Sequence, residues 1–446
     1  MGNILSAAFR GYASLCVRAY YRRMHYIGTE NVPGAGNAVV LAGNHQNCMM
    51  DPLNVEVALR KRKPYCITRG DVFKVGGIAT KFLYWLRLLP VTRSSFDGVS
   101  AASAKEANRS TFAAAEECLN KGNALIIFPE AGHQDKRWLG YFSLAYLTMA
   151  FQAAERMSFA KEVYVVPFAH HYENYFHPFR DFMLKFGEPV PLSQFYELYK
   201  TKPRTAMRKA NEIVEGRIRE MMLDIRDLDH YTGIDELRKG PYGRAYAMAN
   251  GFNPGLLYEK LESDKKMAAV LEKAVKDEPE KTTALLDRLQ ALEKEILSLG
   301  MRDWVVAERP GRARLLLRIA ALAVLLPVAA AAISLTWPFF LIPKAISIRQ
   351  EKRNGDFMFR STWQVGSLVL ITAPLLWILP VIVTLFFAPC AALGYFVACP
   401  LMLAFCILYK KFLVKTKGVW NYVTGSRSEA LSEERESIIK EINKIK

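Results

Sequence analysis

"NAVVLAGNHQNCMMDPLNVEVALRKR", residues 37–62, opens with an uninterrupted apolar run and closes with a helix-like stretch, and between them a histidine and an aspartate stand six positions apart. The run, ended by glycine and polar residues, reads as a buried strand. Aspartate directly before proline reads as an N-cap with proline at the first helical position. Two further runs end the same way, "NALIIFPEAG" (123–132) and "EVYVVPFAHH" (162–171), and "SAKEANRSTFAAAEECLNKG" (103–122) between them is helical in character. Strands alternating with helices predict an α/β domain with a mostly parallel sheet flanked by helices. In such sheets sites form beyond the carboxyl ends of the strands, which is where His45 and Asp51 fall. On a regular helix, six steps of about 100° would leave the two side chains about 120° apart. Pairing them therefore requires an irregular turn through "QNCMM".

The whole chain bounds what such a domain serves. It has 446 residues, 51% of them apolar, and a formal charge of +17, which suits anionic partners such as nucleic acid, phosphorylated small molecules or an acidic bilayer surface. The seven cysteines are odd in number and scattered without a C-x-x-C, so neither a disulfide framework nor a zinc site is expected.

From Leu315 onward the chain stops looking soluble. Residues 315–342 carry one charge, Arg318, and residues 366–408 carry none. About 20 such residues cross a bilayer core, so the first run suffices for one span and the second for two short ones broken near Pro389. Basic residues flank all three places: Arg309, Arg312, Arg314 and Arg318 before, Lys344, Arg349, Lys352, Arg353 and Arg360 between, Lys410, Lys411, Lys415 and Lys417 after. The positive-inside rule draws all three flanks to the cytoplasmic side, which favours kinked or re-entrant hairpins around Pro327 and Pro389 over three full crossings. The number of spans stays open. The expected organisation is an interfacial amphipathic helix (1–30), the α/β domain (31–203), a charged helical connector (204–310), membrane-embedded hydrophobic segments (311–412) and a polar tail (413–446). An integral membrane protein with its α/β domain on the cytoplasmic face is the resulting expectation. No secretory signal is evident, and "MGNILS" fits a myristoylation pattern too short to carry weight. In the connector, Leu285, Leu289, Leu292, Ile296 and Leu299 repeat at 4,3,4,3 spacing, a seam that packs on a neighbouring helix.

"NHQNCMMDP" (44–52) resembles the first motif of the PlsC-like glycerolipid acyltransferases, the superfamily of glycerol-3-phosphate and 1-acylglycerol-3-phosphate O-acyltransferases. Further motifs follow in order over residues 30–190: "GDVFK" (70–74), "LLPVTRSSFDG" (88–98), "IIFPEAGHQDKR" (126–137) and "VYVVPFAHHY" (163–172). Two features depart from the family pattern. Five residues instead of four separate His45 from Asp51, a spacing that resembles the branch acting on glycerol-3-phosphate and dihydroxyacetone phosphate. In "EAGHQDKR" the arginine expected after the glycine is missing, and Lys136 or Arg137 stands slightly further on.

The resemblance implies transfer of a fatty acyl group from acyl-CoA or acyl carrier protein to a glycerol phosphate or lysophospholipid hydroxyl at a lipid bilayer. No metal, resident cofactor or nucleic acid is implied. His45 would be the general base, suited to that role near neutral pH, and Asp51 would fix its tautomer and stabilise the imidazolium, as in hydrolase triads. Arg93, Lys136 and Arg137 would grip the substrate phosphate, and Glu130 and Gly132 would shape the same pocket. Read individually, each has a plainer account: a surface arginine, a tight-turn glycine, a polar loop glutamate. Three other readings differ in class. "HHYENYFH" (170–177) suggests iron ligation, yet seven histidines without repeated histidine boxes are too few. Cys48, three residues from His45, would be nucleophilic as a thiolate. A non-catalytic membrane scaffold would need neither residue.

Overall fold

Strand β2 (Ala38–Gly43) is buried at every position, which accounts for its unbroken apolar sequence: a strand covered on both sheet faces has no polar alternation. In the computed structural model, which describes residues 2–75, 77–92, 98, 100–130, 132, 136–354 and 359–445, the chain divides into two units, Met1–Asp224 and Ile225–Lys446.

In the first unit, β1 (Arg23–Ile27), β2, β3 (Tyr65–Arg69), β4 (Leu88–Val91), β5 (Ala124–Ile127), β6 (Val163–Tyr172), β7 (Asp181–Phe186) and β8 (Val190–Pro191) form one sheet in the order β1-β7-β6-β2-β5-β3-β4, with β8 on β6. The pairings are parallel except those of β6 with β7 and β8. The mostly parallel sheet expected from sequence is therefore present, with an antiparallel excursion at β7 and β8. Helices α1 (Gly2–Tyr20), α2 (Met50–Ala58), α3 (Gly77–Trp85), α4 (Ala101–Asn120), α5 (Ala145–Arg156), α6 (Tyr196–Thr201) and α7 (Pro203–Met221) complete the unit. Leu119 of α4, Phe151 of α5 and Leu125 of β5 share one fully buried core. That core also contains Ala206, Ala210, Val214, Ile218 and Met221. Residues 204–221, expected in the connector, thus belong to the first unit, because α7 has an apolar stripe at helical spacing that the sheet covers.

Helix α1 is tied to α2 by an ion pair between Arg10 and Glu56, and Phe9 packs on Phe82 and Trp85 of α3 with ring centres 5.4 and 5.6 Å apart. Ile4 and Leu5 of α1 and Ile78 and Tyr84 of α3 are exposed.

The second unit contains α8 (Tyr231–Lys239), α9 (Pro241–Ala249), α10 (Leu257–Asp277), α11 (Pro279–Ser298), α12 (Asp303–Glu308), α13 (Arg312–Asn354), α14 (Arg360–Leu385), α15 (Pro389–Thr424) and α16 (Ser428–Ile442). Leu285, Leu289, Leu292 and Ile296 of α11 are buried as the seam predicts, whereas Leu299 lies past the helix end and is exposed. Among the described residues three helices, α13, α14 and α15, are long and apolar enough to cross a membrane. Pro327 lies inside α13, while Pro389 opens α15 after a helix break.

Candidate active site

Gly43 ends β2 and stands beside Phe168 of β6. A Cβ at Gly43 would fall inside the Phe168 ring, so glycine lets the aromatic side chain close the space beneath the strand end. The next residue, Asn44, continues the pairing with its side chain: its Nδ2 donates to His170 O (3.2 Å) and its Oδ1 accepts from His170 N (2.7 Å). The chain then turns through Cys48, whose φ of 44° is left-handed. Asn47 Nδ2 donates to Tyr175 O at 2.8 Å and ties this turn to the segment after β6.

This irregular turn supplies the geometry that a helix alone cannot. His45 Nδ1 lies 2.8 Å from Asp51 Oδ2. The same oxygen accepts the backbone N–H groups of Gln46 (2.7 Å) and Asn47 (2.8 Å), and Tyr172 donates its hydroxyl to Oδ1 at 2.5 Å. Asp51 is not the N-cap that the Asp-Pro pair suggested. The helix starts at Met50 with Met49 as its cap residue, because Met50 N and Asp51 N already bond back to Asn47 O and Cys48 O. The carboxylate reaches back from the first turn to the amides that precede the helix. Pro52 remains harmless there, since first-turn amides need no intrahelical acceptor.

Asp51 is wholly buried. Burial opposes its ionisation, yet its carboxyl titrates below the ordinary carboxylate range because the His170 and His45 imidazoles and the Tyr172 hydroxyl favour the charged form. An ionised Asp51 can only accept, so Nδ1 of His45 carries the proton and Nε2 of the neutral ring is the basic atom. The His45 side chain is 18% exposed and stacks on Phe128 at 4.2 Å. The site thus holds one oriented imidazole edge at the boundary between core and solvent.

Glu130, after β5, accepts His45 N on Oε1 and Gly140 N on Oε2, both at 2.7 Å. Burial pushes its carboxyl up to about 7, against the opposing effect of those two N–H bonds. It is a brace between the His45 segment and the loop at Gly140. Arg137 is buried, donates from Nη2 to Tyr172 O at 2.5 Å, and lies 5.2 Å from the Tyr175 ring centre. Gly132 sits in a bend and Lys136 is half-buried. Arg93 lies outside the described residues.

The structure also brings in residues that the sequence reading passed over as site members. Tyr172 binds Asp51, and Asn54 Nδ2 donates to the hydroxyls of Tyr172 (3.0 Å) and Tyr21 (3.1 Å). His170, read from sequence only as a possible iron ligand, lies between Asn44 O (3.3 Å) and Asp51 O (3.1 Å), and burial lowers its pKa despite the nearby Asp51 carboxylate. His171 faces Arg137 at 3.4 Å and His177 Nδ1 lies 2.7 Å from Asn174 Oδ1. Cys48 is 3% exposed. Among the described residues no three His, Cys, Asp or Glu side chains gather as a metal site would require.

Comparison with known proteins bears on this arrangement. Residues 23–171, which contain every expected site residue, match the family model described as Acyltransferase. Among solved structures, the chain resembles the 1-acyl-sn-glycerophosphate acyltransferase PlsC from Thermotoga maritima with 18% identity, over 48% of this chain and 78% of that one, at a TM-score of 0.35. No curated protein matches by sequence. On that match, residues 23–171 are similar to the acyltransferase family.

Proposed function

We propose that the protein moves a fatty acyl group from a thioester, acyl-CoA or acyl carrier protein, to the hydroxyl of glycerol-3-phosphate or 1-acylglycerol-3-phosphate. His45 acts as general base and Asp51 as the carboxylate that orients it. The supporting observation is the 2.8 Å contact between His45 Nδ1 and Asp51 Oδ2, which leaves the opposite ring nitrogen basic. As the acceptor hydroxyl attacks the thioester carbonyl, Nε2 takes its proton; as the tetrahedral intermediate collapses, the C–S bond breaks and the leaving thiolate takes that proton back. No nucleophile of the enzyme is needed. Lys136 and Arg93 are the proposed phosphate contacts, with Gly132 allowing the loop between them and the base to turn.

The test is acyl transfer by the purified, detergent-solubilised full chain from labelled acyl-CoA and labelled acyl carrier protein, offered both glycerol phosphates, with His45→Ala alongside. Transfer to one acceptor that vanishes in the variant is the expected result. Equal turnover by the variant would overturn the role of His45; transfer only to another lysophospholipid or an amino-lipid would overturn the acceptor assignment alone.

A further inference from the structure

Asp51 meets its surroundings with two unequal oxygens. Oδ2 faces His45 Nδ1 and accepts two backbone amides, whereas Oδ1 has, among the described residues, one hydrogen-bond donor, the Tyr172 hydroxyl at 2.5 Å. That distance belongs to the short, charge-assisted class of bonds between a hydroxyl and a carboxylate. Burial favours the neutral form of a carboxyl group, so each donor removed makes it a stronger proton acceptor.

A tyrosine hydroxyl has one proton, and the fold fixes where it goes. Asn54 Nδ2 lies 3.0 Å from the Tyr172 hydroxyl oxygen and 3.1 Å from that of Tyr21, and directs its two N–H bonds at them. With its oxygen already accepting from Asn54, Tyr172 is left with Asp51 Oδ1 as the acceptor for its own proton. Asn54 Oδ1 has no partner; turned the other way, that oxygen would compete with the ionised carboxylate for the Tyr172 proton. The bond arriving from Asn54 also polarises the hydroxyl and strengthens the bond it donates. Asn54, Tyr172 and Asp51 are all fully buried, so solvent reaches none of them.

Other ionisable groups around the pair have their own partners. His170 Nδ1 is 3.8 Å from Oδ1, beyond hydrogen-bond reach, and its ring lies between Asn44 O and Asp51 O. Glu130 accepts His45 N and Gly140 N, Tyr21 faces Asn54, and Arg137 binds the Tyr172 carbonyl and not its hydroxyl. Deleting the Tyr172 hydroxyl therefore removes one contact of Asp51 and leaves these in place.

We propose that Tyr172 is a positioning residue of this site, whose hydroxyl holds the charge on Asp51 and thereby sets how readily His45 takes up a proton. The proposal rests on the transfer chemistry given above. Without that donor the carboxylate attracts the imidazolium more strongly, so His45 stays protonated to higher pH and the free base is lost over a wider acid range.

The pH dependence of kcat/KM for acyl transfer is measured on the detergent-solubilised full chain for wild type, Tyr172→Phe and Phe182→Leu. Phe182→Leu loosens the packing against Tyr172, whose ring centre is 4.9 Å from that of Phe182, and removes no hydrogen bond from the carboxylate. Proton NMR of the same proteins follows the His45 Nδ1–H resonance, assigned by its loss in His45→Ala. Tyr172→Phe should move the acid limb to higher pH by about half a unit, which is about a threefold loss of rate at a fixed pH on that limb. It should also carry the Nδ1–H resonance downfield and leave the plateau within about tenfold of wild type, while Phe182→Leu moves neither limb nor resonance. A limb that stays in place, or a fall uniform in pH that Phe182→Leu reproduces, would overturn the proposal. If wild type transfers to no acceptor, the function proposed above fails and the resonance alone decides; unmoved in Tyr172→Phe, it overturns the role of Tyr172. Should Tyr172→Phe not accumulate, Asn54→Ala weakens the same donation and should shift both readouts in the same direction by less, and no shift overturns the proposal.

Discussion

Replacing Asp51 by asparagine isolates the charge of the proposed dyad from its shape. The backbone amides of Gln46 and Asn47 both donate to Oδ2, and a side-chain amide nitrogen cannot accept them. They therefore hold the asparagine oxygen toward His45, and the tautomer with the proton on Nδ1 survives. What is lost is attraction between the carboxylate and the imidazolium that forms during transfer. With charge centres about 4 Å apart at an effective dielectric constant of about 20, that attraction is about 4 kcal/mol, or about a thousandfold in rate. Initial rates of acyl transfer at saturating donor, measured with the Tm of both proteins, provide the assay. A folded Asp51→Asn enzyme whose rate stays within about tenfold of wild type would refute the reasoning, since Asp51 would then be only a turn former.

Glu130 has a raised carboxyl pKa of about 7, so its folded state favours the protonated form; its contribution is full below the ordinary carboxylate value and is lost as pH rises through about 7. Thermal melts across pH 4–8 should accordingly show wild type losing stability relative to Glu130→Gln over that window, and parallel curves would count against it. Because Arg137 is buried against Tyr172 O and the Tyr175 ring, Arg137→Ala should lower stability by about 1.5–3 kcal/mol in chemical denaturation; a raised KM for the acceptor with unchanged stability would instead mark it as a phosphate contact. Cys48→Ser should retain full transfer activity, and its loss in a normally folded variant would revive the thiol mechanism.

The parts of this molecule that sequence reveals are those written in apolar periodicity. β2, β5 and β6 announce themselves because burial on both sheet faces leaves no polar alternation, and the seam of α11 is visible because helix packing repeats every three or four residues. The pairing of His45 with Asp51 was foreseeable as a requirement for an irregular turn, but not its form. The left-handed Cys48 and the early helix start at Met50 depend on Asn47 being held by Tyr175, a contact between residues more than a hundred positions apart. The same limit explains Tyr172, which completes Asp51 only because β6 lies beside β2. Residues 204–221 of α7 read as connector because the apolar stripe of that helix is muted among charged residues.

β2, the strand that ends two residues before His45, is paired on both sides, to β5 and to β6. Amides in such a position open only with the whole domain, whereas loops fray independently. His45 therefore stands just beyond the end of the element that yields last. Heating would first loosen the more distant loops, and the His45–Asp51 contact would persist until the sheet itself is lost.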